Sequence, residues 1–210
     1  MCINDKVSIL AFMFCSFTCL FLYKRNKIND KWVCIMFGYL GLMQLLEYLM
    51  WIDQDCNGLN QFATDLGFVH NILQPIISLL VAFIFIKNIP IWQYSITMAY
   101  LLYSLPKIWA SKKTGQCSKP CSKDEIGLSW KYTNTEHATI VWLIFTLALS
   151  SPFLLMKKNG IIYFLLFIIT YIISHFIAVN RCKNSIIPSN GSWWCLMATL
   201  IPFMALFINN

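Results

Sequence analysis

Glu47 is the only acidic residue inside any long apolar stretch of this 210-residue chain, and His70 and His175 are the only histidines so placed. A carboxylate at the centre of a bilayer costs about 2.5–3.5 kcal/mol on insertion scales, so such a group is expected to face other helices or a wet cavity. A carboxyl–imidazole pair in a low dielectric has easily shifted protonation equilibria. That chemistry suits proton or ion handling, and equally acid–base catalysis. Helical spacing puts Gly41, Gln44, Glu47 and Trp51 on one face, and His70, Asn71 and Gln74 return at comparable depth with Ser78 below. Tyr171 with His175, Thr139-Trp142-Thr146-Ser150 and Gln93-Thr97-Tyr100-Ser104 form further polar stripes. Together they predict a polar cavity lined by Gln44, Glu47, Trp51, His70, Asn71, Gln74, Trp142, Tyr171 and His175. The competing reading is that these groups only hydrogen-bond helix to helix, at about 0.6 kcal/mol per bond.

The elements that must carry these residues are membrane spans. Only 12% of residues are charged, against roughly 25% in soluble proteins, and the mean hydropathy is +0.62. Seven apolar stretches are expected as helices: 7–23, 32–52, 67–86, 91–105, 138–156, 161–180 and 193–208. The fold class is therefore all-α, with residues 1–210 forming a single seven-helix transmembrane domain and no soluble domain of useful size. The first stretch lacks a small-residue cleavage site before Lys24, so it is expected to be a retained span. Asn88 with Pro90, and Lys157-Lys158-Asn159-Gly160, make tight connections. Only residues 107–137 form a long loop, whose Trp109, Trp130 and Tyr132 suit the membrane interface.

With seven spans, nine Lys and Arg fall on the N-terminal side and seven on the other. The first span carries four bases after it and one before it, however, and first-span flanks usually dominate orientation. An extracellular or lumenal N-terminus is expected on that ground, and on cysteine placement. Cys15, Cys19 and Cys34 lie within spans and read as packing residues. Cys2, Cys56, Cys117, Cys121, Cys182 and Cys195 all fall on the N-terminal side, as disulfides in an oxidising compartment would. The alternative is a thiolate metal site using Cys117 and Cys121, but their spacing lacks a matching second pair. Disulfides are the expectation, with no metal and no cofactor. Glu47, Cys56 and Pro75 echo His175, Cys182 and Pro202 as a faint repeat, with Cys-to-Pro separations of 19 and 20 residues. Such a repeat would fit two parallel three-span units about a central helix.

Several chemistries lack their residues. The seventh stretch has no lysine for a retinal Schiff base, no paired-histidine motif supports a zinc-dependent membrane hydrolase, and no span carries paired aspartates. The net charge of +7 reads as loop ends and anionic-lipid contacts rather than nucleic-acid binding. One family resemblance is present. Met1-Cys2-Ile3-Asn4-Asp5-Lys6-Val7-Ser8, Gln44-Leu45-Leu46-Glu47-Tyr48-Leu49-Met50-Trp51 and Gln74-Pro75 resemble a multi-span membrane-protein family of giant, mimivirus-like DNA viruses. That family opens Met-Cys-Trp-Asn-Ala, from which Ile3 and Asp5 depart, and carries Gln-Leu-x-Glu-Tyr/Phe-x-x-Trp in its second helix. The resemblance implies a viral membrane protein without naming an activity.

The expected function is a small channel or transporter for protons, ions or a small polar solute, in a viral or host-cell membrane, with the lipid bilayer as partner. Glu47 is the expected charge-carrying group, with His70 and His175 its titratable neighbours. The alternatives are a receptor-like or structural viral membrane protein, and a lipid-modifying enzyme using Glu47 and His70 as acid and base.

Overall fold

In the computed structural model, residues 4–112, 115–120, 127–130, 137–181 and 190–209 are described, and helix dominates them. The first helix, α1 (Asp5–Arg25), begins where the Asn4 side chain accepts a bond from the Val7 N–H at 2.9 Å, with Asp5 in its first turn. It ends on Lys24 and Arg25, and Asn26 closes it in the left-handed conformation with φ 53°. Helices α2 (Asp30–Ile52) and α3 (Leu59–Phe85) follow, then α4 (Ile91–Ala99), a π-turn (Tyr100–Ser104) and α5 (Leu105–Ser111) in one nearly continuous run. A two-residue pairing of β1 (Lys119–Pro120) with β2 (Leu128–Ser129) marks the long loop. Helix α6 (Ala138–Ser150) tightens into a 3₁₀ turn (Ser151–Leu155) before α7 (Gly160–Arg181), α8 (Asn190–Ala198) and α9 (Ile201–Ile208).

Among the described residues, four helices are long and apolar enough to cross a membrane: residues 5–25, 30–52, 59–85 and 160–178, of 21, 23, 27 and 19 residues. The stretches at 139–155 and 192–208 are shorter apolar helices. Proline accounts for the two interruptions in these shorter stretches. Pro152 cannot donate to the preceding turn, and α6 passes into 3₁₀ geometry beside it. Pro202 lies in the first turn of α9, so the stretch expected as one helix over 193–208 is two, parted at Thr199 and Leu200. Helix α3 begins at Leu59, eight residues before the expected Gly67, because a polar turn described below extends it beyond the apolar segment.

The core lies along α2, which packs against α1, α3, α8 and α9. Small residues allow the close approaches. A Cβ on Gly41 would meet the Cys15 sulfur at 2.9 Å, and one on Gly67 would meet the Met43 and Met50 methyls at 3.0 Å. An aromatic knot joins four elements: Phe37 lies 5.7 Å from Phe153 and 5.3 Å from Phe167, which in turn lies 5.5 Å from Trp194. Outside this core, Leu10, Phe17, Ile84, Ile91 and Phe176 point outward, each at least 63% exposed. That is the pattern of an apolar surface that needs a cover.

Gly160 opens α7 against the 3₁₀ turn, where an added Cβ would collide with the Phe153 backbone carbonyl. Because the obstacle is backbone, Gly160→Ala should destabilise the protein by about 1–3 kcal/mol, measured as a lowered thermal midpoint in detergent. An unchanged midpoint would contradict this packing.

Candidate functional site

The expected cavity residues divide into groups. On α2, Gln44 and Glu47 are fully buried, and the Gln44 amide donates to the Glu47 carboxylate at 2.9 Å. On α3, the Gln74 amide donates to Asn71 Oδ1 at 2.9 Å and stands 3.3 Å from His70 Nδ1. The His70 ring stacks on Tyr39 at 4.4 Å, its Nε2 lies 2.8 Å from the Tyr39 carbonyl oxygen, and the Tyr39 hydroxyl donates to the His70 carbonyl at 3.1 Å. His70 is therefore committed to Tyr39 and Gln74, not to Glu47. Tyr39 lies eight residues before Glu47, about 12 Å along the helix axis. The expectation of a Glu47–His70 pair is corrected accordingly.

His175 is also corrected. It is exposed on α7, and among the described residues its ring contact is with its neighbour Phe176 at 6.4 Å. Tyr171 is half-buried against Trp194 at 6.3 Å, and Trp142 packs edge-on to Phe145 at 5.2 Å. Trp51 is half-buried at the end of α2. Helical spacing groups residues by face, but the rotation of α7 about its own axis is fixed by packing.

Between α3, α4 and α6 the polar stripes meet. The Tyr100 hydroxyl donates to the Ile72 carbonyl at 2.7 Å, next to the turn that Pro75 loosens. The Ser78 hydroxyl donates to the Leu149 carbonyl at 2.8 Å. Gln93 lies seven residues before Tyr100 and Ser78 six after Ile72, so in these antiparallel helices they share a level within about one turn. Gln93 is fully buried, and neither end of its amide has a hydrogen-bond partner among the described residues. Gln74 Oε1, Ser104 Oγ and Ser151 Oγ are likewise buried without one. Each unmet group costs about 1–3 kcal/mol, so this column holds polar capacity beyond what folding requires. By contrast, Thr97, Thr146 and Ser150 bond carbonyls of their own helices at 3.0, 2.8 and 2.7 Å.

Two further polar assemblies escaped sequence reasoning. At the α2–α3 turn, the Asp53 carboxylate accepts from the Asn57 and Asn60 N–H groups, each at 2.9 Å. The Asn60 amide donates to the Met50 and Ser118 carbonyls at 2.8 and 3.0 Å, and the Ser118 N–H returns to Asn60 Oδ1 at 2.9 Å. Thr64 donates to Ser118 Oγ at 3.0 Å, and Cys56 and Cys117 form a disulfide with Cα atoms 6.1 Å apart. The long loop is thus sewn onto the bundle. Of the other cysteines assigned to disulfides, Cys195 is buried in α8, while Cys2, Cys121 and Cys182 lie outside the described residues. Among the described residues, no three His, Cys, Asp or Glu side chains could hold a metal ion.

At the opposite end, Arg25 grips Asp30 through two bonds of 2.8 Å and also donates to the Leu206 and Ala205 carbonyls at 2.8 and 3.1 Å. Asn209 donates to Asp30 at 2.9 Å, and Tyr163 donates to Asn209 at 2.8 Å. The only signal for either assembly was the placement of Asp and Asn at helix starts, which marks a cap but not its distant partner. No protein-family model, curated protein or solved structure matches this chain.

Backbone N–H groups, those of Asn60 and Asn57 first, hold the Asp53 carboxyl below the ordinary carboxylate range. Its stabilisation is complete above the unfolded value of about 4 and is lost as pH falls through the lowered folded value. Asp53→Asn, which keeps one acceptor oxygen, should lower stability at neutral pH and flatten the acid limb of the unfolding profile. A parallel profile would show that Asp53 caps nothing. Cys117→Ser should remove about 2–4 kcal/mol, read by denaturant titration under non-reducing conditions.

Proposed function

We propose that this protein is a seven-span membrane protein acting as a small channel or transporter for protons, ions or a small polar solute. The observation that carries this reading is the column of buried polar groups on α3, the 91–111 run and the turn after α6 that have no partner among the described residues, Gln93 with both ends of its amide foremost. Water or a polar solute would supply the missing partners. The path is assigned to this column rather than to the Glu47–His70 pair expected from the sequence. Seven spans follow if the run over 91–111, the α6 segment and the α8–α9 pair each cross alongside the four long helices. The Cys56–Cys117 disulfide supports an N-terminus on the extracellular or lumenal side. The resemblance in residues 1–8 and 44–51 supports a viral source.

A second reading is a structural or receptor-like membrane protein. It is favoured by the sewn loop at the α2–α3 turn and by the Ser and Thr hydroxyls that bond their own helices.

Proteoliposomes separate the two. The wild type should pass protons, potassium or a small polar tracer above the empty-vesicle rate. Gln93→Leu should abolish that flux while leaving the thermal midpoint equal or higher, because it removes two unmet groups. Glu47→Gln should leave the flux intact. Wild-type vesicles as tight as empty ones would overturn the transport reading in favour of the structural one.

A further inference from the structure

A cavity of about 180 Å³ opens where the α1–α2 turn meets the C-terminus of α3. Its volume equals about six water molecules, enough for a phosphate group with part of its hydration. Lys27, Lys31 and Lys157 line it, together with Trp32, Phe85 and Asn29. Asp30, the carboxylate beside this cluster in the chain, is fully buried and committed to Arg25, so it does not neutralise the lysines. Lys24, Lys87 and Lys158 stand around the same end of the bundle. Lys31 and Lys157 are exposed, the Lys31 ammonium lying over the Tyr23 ring at 5.7 Å, an exposed contact that a ligand anion can compete with.

Two other features favour an anion. Asn29 precedes α2 with φ 66° and makes no side-chain cap, so the positive end of a 23-residue helix borders the cavity. Trp32 is 2% exposed, stacks on Phe85 at 5.6 Å, and its indole N–H has no hydrogen-bond partner among the described residues. Trp32 lines this lysine-lined cavity, and its covered indole N–H becomes a donor for an oxyanion acceptor once a ligand uncovers it.

We propose that this cavity binds a phosphate-type oxyanion, carried either by the headgroup of an anionic phospholipid or by a soluble phosphate. A basic pocket among helix ends on the side opposite the disulfide is where an anionic headgroup of the facing leaflet would sit. The lipid source rests on the membrane reading given above. The anion site itself does not, and it is tested with water-soluble ligands apart from any flux.

The full chain in neutral detergent is titrated calorimetrically with short-chain phosphatidylglycerol, short-chain phosphatidylcholine and inorganic phosphate. Phosphatidylglycerol should bind saturably at one site, and phosphatidylcholine should not. The double variant Lys31→Gln/Lys157→Gln should weaken binding about thirtyfold, and Trp32→Phe, which keeps the ring against Phe85, about fivefold. The control pair Lys87→Gln/Lys158→Gln removes equal charge from outside the cavity and should leave affinity within twofold. Phosphate binding as tightly as phosphatidylglycerol would identify soluble phosphate as the occupant, and weaker phosphate binding the lipid. Equal loss in both lysine pairs, no loss in either, or equal binding of phosphatidylcholine would overturn the proposal.

Discussion

The Arg25–Asp30 pair ties together the ends of more elements than any other contact among the described residues. Arg25 closes α1 and Asp30 opens α2, so their two bonds fix the turn between those helices. The same guanidinium reaches the Ala205 and Leu206 carbonyls in the last turn of α9, where backbone acceptors have no partner within their own helix. Asn209 and Tyr163 extend the assembly to α7. A buried carboxylate is tolerable only when its oxygens are fully engaged, and Asp30 accepts from Arg25, Asn209 and the Lys27 backbone. Four helices are thereby held at one end by a single charge pair.

The other end is held by different chemistry. The Asp53 carboxylate, the Asn60 amide and the Cys56–Cys117 disulfide fasten the long loop to the α2–α3 turn. Lys112 adds an ion pair to Asp65 at 3.1 Å and lies over the Phe68 ring at 5.0 Å. Between the two clamps, packing takes over. Glycines admit neighbouring side chains and the aromatic knot of Phe37, Phe153 and Phe167 fills the centre. The groups around Gln93 that lack partners among the described residues lie between helices, and Trp32 adds an unmet N–H beside the Arg25–Asp30 end.

Much of the architecture was legible in the chain. Apolar length located the helices, and Lys24, Asp53, Lys87 and Asn159 bounded them within a few residues of the observed ends. Cysteines gathered on one face anticipated a disulfide, although nothing in their spacing chose Cys117 as the partner of Cys56. The stripe Gln93-Thr97-Tyr100-Ser104 was visible as helical periodicity, yet its members proved unlike: Thr97 bonds its own helix, Tyr100 crosses to α3 and Gln93 bonds neither. Pairing His70 with Glu47 failed because depth was judged from position in the sequence, while the register of α2 on α3 sets His70 against Tyr39.

Composition and pattern were enough to locate, among the described residues, four helices long and apolar enough to cross a membrane. Sparse charge and long apolar runs allow few structures other than packed helices, because hydrocarbon offers backbone groups no partners outside their own segment. They were also enough to locate where proline interrupts a helix, since a missing N–H is a local property. Which faces meet is a matter of packing and could not be read in this way. Rotation of a helix about its axis and its shift along a neighbour are set by contacts such as Cys15 on Gly41 and Tyr39 on His70, between residues distant in the chain. For that reason His175 turned outward, Asn60 found Ser118, and the lysines of two separate turns came to line one cavity.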